Sequence, residues 1–388
     1  MRVSKWVALI TLILFSMSII AGCGGGKDTT GGAETPAGGE EIRIGLIAPL
    51  TGDVKTFGES VKNAFEMAME EADYKVGDFT IKVFVEDDRN VATEAVNVAE
   101  KLITQNKVSA IVGSVTSSST IPISEVAQAH GVVLVTPTAT NPKVTVDAAR
   151  KDYVFRACFI DPFQGTVAAR FALDELGAKT AAVLFDQGND YTIGLKDYFK
   201  QSFEAGGGTI LAEEAYTKND TDFSAVLTNI AKQKPDVLFL PDYYQKVSLI
   251  GKQARDKGIT ATFLGGDGWD SPELDFAVMD GGYQTNHYSP DDPRPEVTEW
   301  VEKYTAKYGQ TPDALGTLAY DATKLVLKAI EDAGSTDPAA IRDAMAKIQG
   351  FQAVSGSISF DENGNPIKSA AILQIKDGAQ KFVTVVNP

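Results

Sequence analysis

The chain has 388 residues, 44% hydrophobic and 23% charged, a globular composition with length enough for two domains. Its formal net charge of −16 argues against nucleic acid or an anionic membrane surface as the main partner. Two cysteines and two histidines exclude a disulfide framework and a histidine-rich metal site.

Residues 1–20 read as a targeting segment, with Arg2 and Lys5 ahead of an apolar run that is short of the roughly twenty residues a membrane span needs. Ile20-Ala21-Gly22-Cys23 has the form of a bacterial lipobox, so 1–22 is expected to be a lipoprotein signal peptide with lipid on Cys23. Residues 23–40 are rich in Gly, Thr and Pro and read as a flexible tether.

From residue 42 the pattern alternates. IRIGLIAPL suits a buried parallel strand, and Val61, Ala64, Phe65, Ala68, Met69 and Ala72 mark one face of a helix. A strand at 81–86, a helix at 92–105 and strands at 109–112 and 132–135 follow. After each of the last two strands comes a hydroxyl-rich turn: Ser114, Thr116, Ser117, Ser118, Ser119 and Thr120, then Thr136, Thr138 and Thr140. Such residues before a helix supply capping oxygens and free N–H groups where the helix dipole is positive, which suits an anion.

A second alternating series runs from 164 to 265, predicting helices at 164–176, 193–205, 223–232 and 247–257 and strands at 180–185, 209–215, 237–240 and 262–265. The Pro- and Asp-rich SPDDPRPE then leads into helices at 297–308, 315–333 and 338–348. The segment 355–378 reads as two strands around an Asn363-Gly364 turn. No nucleophile elbow, zinc-protease motif or phosphate loop is present, so an enzyme is not expected. His130 reads as a helix-end residue and Cys158 as a buried apolar thiol.

SSST followed by TPTATNP resembles the extracellular branched-chain amino-acid-binding proteins of ABC importers, which have the type I periplasmic-binding-protein fold. IRIGLIAPLTGD, EDDRN, DFSAVL, PDYY and FLGGDG extend the resemblance from 42 to the carboxyl end. It implies two doubly wound parallel-sheet α/β lobes joined by a three-strand hinge. Lobe 1 would comprise 41–160 plus 289–366 and lobe 2 161–288 plus 367–388, with crossings near Phe159, Tyr288 and Ile367.

By the same resemblance, Ser117 would bind a ligand carboxylate, with Thr138 offering backbone atoms and Thr140 a hydroxyl. Asp267 would hold the ammonium, where the best-known members carry Glu, with the Tyr243 hydroxyl assisting. Tyr191 and Phe57 would close over the ligand, and Val115 and Thr116 would border it; Trp269 matches no position of the family and is expected from its place in the sequence to wall the cleft beside Asp267. A disulfide common in the family joins the positions of Asn90 and Thr116, neither of which is Cys here. The expected protein is an extracytoplasmic, lipid-anchored monomer without cofactor or metal. It would pass an α-amino acid, above all leucine, isoleucine or valine, to an ABC permease. The alternative is a sensor or importer component for an amide, γ-amino acid or aromatic carboxylate.

Overall fold

Runs of apolar, β-branched residues and one-sided helices build two separate sheets in the computed structural model, which describes residues 40–388. The signal segment, Cys23 and the tether lie outside the described residues. The first sheet is formed by β1 (Glu41–Ala48), β2 (Lys75–Val76), β3 (Phe79–Asp87), β4 (Ala110–Val112), β5 (Val133–Thr136) and β6 (Val154–Arg156) in the order β2-β3-β1-β4-β5-β6. Helices α1 (Lys55–Glu71), α2 (Ala92–Glu100) and α3 (Ser117–His130) connect these strands.

Helix α4 (Asp161–Arg170) opens the second layer, followed by β7 (Thr180–Asp186), α5 (Asp190–Ala205), β8 (Thr209–Tyr216), α6 (Ser224–Gln233), β9 (Val237–Leu240), α7 (Tyr244–Asp256), β10 (Thr262–Gly265) and β11 (Tyr283–Asn286). The chain then returns to the first layer with α8 (Pro295–Tyr308), α9 (Ala314–Ala333), which packs on α1, and α10 (Pro338–Met345). A small ribbon, β12 (Phe351–Ala353) and β13 (Gly356–Ile358), precedes β14 (Ala370–Lys376) and β15 (Ala379–Val386), which complete the second sheet in the order β15-β14-β11-β10-β9-β7-β8. The chain changes sheet three times: after β6, after β11 and after β13.

Both sheets are mixed rather than wholly parallel. The pairs among β1, β3, β4, β5 and β6 and among β7 to β11 are parallel, whereas β2–β3, β11–β14 and β14–β15 are antiparallel. The β2–β3 and β14–β15 pairs are direct returns that need no crossover helix, whereas β14 reaches β11 only after the excursion through α8, α9, α10 and the β12–β13 ribbon.

The segment 355–378 departs from the hairpin that its turn residues suggest. The turn forms: Asp361 Oδ1 accepts from the N–H groups of Asn363 and Asn365, both at 2.8 Å, and Gly364 sits at φ +75°. The flanking strands nevertheless part, β13 pairing with β12 and β14 with β11 and β15. Ala370–Leu373 at the start of β14 are all buried, and a two-stranded ribbon could not cover them. The turn therefore feeds the third crossing.

Trp269 is fully buried, and its Nε1–H donates to Leu240 O at 3.0 Å. It is a pillar of the second lobe's core rather than a wall of the cleft. It fits because Gly265 has no side chain, since a Cβ there would lie 2.1 Å from Trp269 Cε2. Gly265→Ala is expected to cost about 1–3 kcal/mol through overpacking. An unchanged urea midpoint would show that the ring has room to yield.

Candidate ligand-binding site

Two strand ends of the first lobe form one side of the site. Beyond β4 the chain passes so close to β1 that a Cβ on Gly113, at φ +127°, would sit 2.2 Å from Ile47 O. Buried Asp88, just past β3, accepts from Asn90 N–H at 2.9 Å and from the Ser114 hydroxyl. Asn90 Oδ1 in turn accepts from the Thr116 hydroxyl at 2.8 Å. From the next loop, Thr136 Oγ1 donates to Ser114 O at 2.7 Å and Thr138 Oγ1 to Val115 O at 2.6 Å. This lattice fixes Thr116 as the N-cap of α3 and Ser117 as its first residue, where backbone N–H groups lack helical partners. Ser117 Oγ accepts weakly from Asn141 N–H at 3.3 Å and keeps its own proton to donate.

A buried guanidinium underlies the second loop. Arg156, at the end of β6, donates to Ala139 O at 2.6 Å, Asn141 O at 3.0 Å and Thr145 Oγ1 at 3.1 Å. Its Nε has no partner among the described residues. Asp161 opens α4 nearby, but burial pushes its carboxyl up to about 8, against the pull of the Thr140 hydroxyl, so it is neutral at pH 7. Thr140 approaches this carboxyl without a well-formed hydrogen bond.

The second lobe contributes Asp267, at the tip of β10 and 5% exposed. Its Oδ1 accepts from Gln164 Nε2 and the Tyr191 hydroxyl, both at 2.8 Å, and its Oδ2 from His287 Nε2 at 2.9 Å. Burial works against the charge, but bonds from His287, Gln164 and Tyr191 outweigh it and hold the carboxyl below its usual range. Burial likewise pushes His287 below its ordinary value, although Asp267 pulls the other way. The ring is therefore neutral at pH 7, and its Nδ1 is a buried acceptor without a partner. It stacks on Phe159 at 3.8 Å between centroids. Three donors leave the Asp267 carboxylate about one acceptor position to spare.

Between the lobes lies a small, nearly closed cavity of about 20 Å³ bordered by Phe57, Val115, Thr116, Ser117, Thr138, Tyr191, Tyr243, Asp267, Gly268 and Leu315. Tyr191 and Tyr243 stack at 5.3 Å, and Phe57 meets Tyr243 edge-on at 5.7 Å from the opposite lobe. Of the residues singled out from the sequence, Trp269 aside, Thr140 alone does not border this space. Its loop coils around Arg156 and turns it toward Asp161. The Thr138 hydroxyl is spent on Val115 O, leaving its backbone for a ligand. Leu315 and Gly268, and the Asp267 partners Gln164 and His287, were not singled out.

The lobes meet in a closed arrangement. Ser118 Oγ donates to Asp190 Oδ2 at 2.8 Å, Asn141 Nδ2 donates to Asp190 O at 2.8 Å, and Lys218 pairs with Asp53 at 3.1 Å. Asp270 reaches across to accept from Ala314 N–H at the start of α9. A wider concavity of about 380 Å³ at the cleft mouth shares Tyr243 with the inner cavity. The inner space is the better site because apolar walls and convergent polar groups from both lobes meet there.

The sequence matches the family model described as periplasmic binding protein over residues 41–380. It is 35% identical to the Leu/Ile/Val-binding protein BraC3 of Rhizobium johnstonii over 86% of this chain and 91% of that one. The fold superposes on the leucine-binding protein LivK of Thermotoga maritima with a TM-score of 0.86 and 39% identity, covering 89% of this chain and 99% of that one. LivJ of Streptococcus pneumoniae, a branched-chain amino-acid transporter substrate-binding protein solved with isoleucine, gives 0.84 and 30%, covering 90% and 100%. The chain belongs to the periplasmic-binding-protein family that includes these proteins.

Proposed function

We propose that the inter-lobe cavity binds an aliphatic α-amino acid, leucine, isoleucine or valine, and that the closed protein presents it to the permease of an ABC importer. One observation carries this reading: the cavity has two poles of opposite sign on opposing lobes. Ser117 and the α3 N-terminus, backed by Arg156 with no ionised partner, suit a carboxylate. Asp267, held ionised with an acceptor position to spare, suits an ammonium. Burying a zwitterion requires both. Phe57, Val115, Tyr191, Tyr243 and Leu315 supply an apolar surround for the side chain. The names of BraC3, LivK and LivJ agree with this ligand class.

Closure is linked to binding because only the closed form brings both poles to one molecule. The site holds and releases its ligand without chemical conversion. Outside the cytoplasm, diacylglycerol on Cys23 would tether the protein as a monomer to the membrane through the 23–40 linker, two acyl chains anchoring stably where one is marginal.

Leucine, isoleucine and valine at a hundredfold excess over their dissociation constants should stabilise the protein by about 2.7 kcal/mol, visible as a raised melting temperature. A shift with benzoate or γ-aminobutyrate and none with these three would refute the proposal. Asp267→Asn keeps the shape of the pole and removes its charge, and should weaken leucine binding by about 2–5 kcal/mol in calorimetry. A loss under about threefold would remove Asp267 from its role.

Asp161 gives a pH signature. Its folded carboxyl holds a proton to about pH 8, whereas the unfolded chain releases it above the ordinary aspartate value of 3.8. The protonated group's contribution is thus full below about pH 4 and is lost as pH rises toward 8. Asp161→Asn should match the wild type near pH 4 and exceed it by about 5 kcal/mol at pH 8. Parallel denaturation curves across that range would show that Asp161 is ionised in the folded state.

A further inference from the structure

A second cavity, of about 430 Å³, sits on the crossing segments themselves. Residues 287–289 of the second crossing and 367–369 of the third border it, together with Ser355, Phe382 and Val385. Its floor carries one buried lysine. Lys368 is 5% exposed, and its Nζ donates to Ala157 O at 3.1 Å and to the Ser355 hydroxyl, leaving one ammonium N–H uncommitted. No carboxylate lies within ion-pair distance of Lys368 among the described residues. Arg294, also on the lining, is paired with Asp292 at 2.9 Å, and the Ser355 hydroxyl links Lys368 to the Asp321 carboxylate. Burial lowers the Lys368 amine to about 8, despite the attraction of Asp321, as expected for a cation awaiting a partner.

The rim is apolar. Six large hydrophobic side chains are exposed among the described residues, and three of them, Ile367, Phe382 and Val385, border this one cavity. Ile367 is 64% exposed, the most of the six. Scattered exposure of this kind is ordinary, but a cluster around a polar floor marks a binding surface. His287 is shared between the two sites: it lines this cavity while its Nε2 holds Asp267 in the other.

We propose that this cavity is a second ligand site, for a monocarboxylate with an apolar body, and that its occupancy is linked to that of the inter-lobe cavity. The carboxylate takes the free N–H of Lys368, and the apolar body covers Ile367, Phe382 and Val385. Linkage follows because the second and third crossings, which line the site, must change their backbone angles when the lobes move. By reciprocity each ligand then alters the affinity of the other. The linkage rests on the amino-acid reading of the cleft, whereas the site does not.

The test is a titration of the protein with octanoate, followed through the ¹³C methyl signals of Ile367 and Val385, with and without saturating leucine. The expected result is saturable shifts with a dissociation constant below about 1 mM in both conditions. Ile367→Asp should weaken binding about tenfold or more, and uncharged octanamide should bind at least about fivefold more weakly. Saturating octanoate should change leucine affinity at least about threefold. Absence of saturable shifts at these methyls, their loss on adding leucine, or equal binding of octanamide would overturn the site. Leucine affinity constant within about twofold would overturn the linkage. If no amino acid binds, the octanoate titration alone still decides the site, so the two readings fail separately.

Discussion

A carboxylate kept ionised inside a nearly closed cavity is the constraint around which this protein is arranged. Asp267 survives as an anion because Tyr191 from α5, Gln164 from α4 and His287 from the second crossing deliver three donors to it. Their convergence depends on absent side chains. A Cβ on Gly266 would stand 2.5 Å from the Tyr191 hydroxyl, and one on Gly268 3.0 Å from Asp242 O. The glycines of GGDG therefore serve the approach of three partners to one acid.

The other pole is built by withholding neutralisation. Arg156 has backbone and hydroxyl oxygens around it, and the acid that could have paired with it, Asp161, is protonated at neutral pH. A cation without a counter-ion is costly in a protein interior. Here it sits beneath a loop whose other face borders the cavity. An anion arriving at the start of α3 meets both the helix dipole and this stored charge. Each lobe thus carries half of a charge pair that only a zwitterion completes.

The alternation of strands and helices was legible because each element announces itself within a few residues, through apolar periodicity and glycine stops. Ser117, Thr138 and Asp267 were singled out through resemblance to the family and Tyr243 as a residue following a buried strand, and all four border the inter-lobe space. What could not be read depends on distant packing. Gln164 and His287 meet Asp267 from 103 and 20 residues away, and no local pattern distinguishes them. Thr140 follows Thr138 at strand spacing, yet its loop is wound around Arg156 and alternation no longer governs it. The turn at Asn363-Gly364 was readable from its residues, but the partners of the flanking strands were not. Turn chemistry is local, whereas pairing is decided by which sheet can cover β14.

The hydrogen bond from Thr116 to Asn90 occupies the place where relatives of this type often carry a disulfide. It anchors the α3 N-terminus to the β3 loop by non-covalent means. The only cysteine in the folded body, Cys158, is fully buried, and burial pushes its thiol up to about 12, so thiolate chemistry is closed to it. Maturation of the binding domain therefore requires no oxidising catalyst, and the folded domain is indifferent to the redox state of its surroundings. A cell that exports it into a reducing or oxygen-free environment obtains the same site.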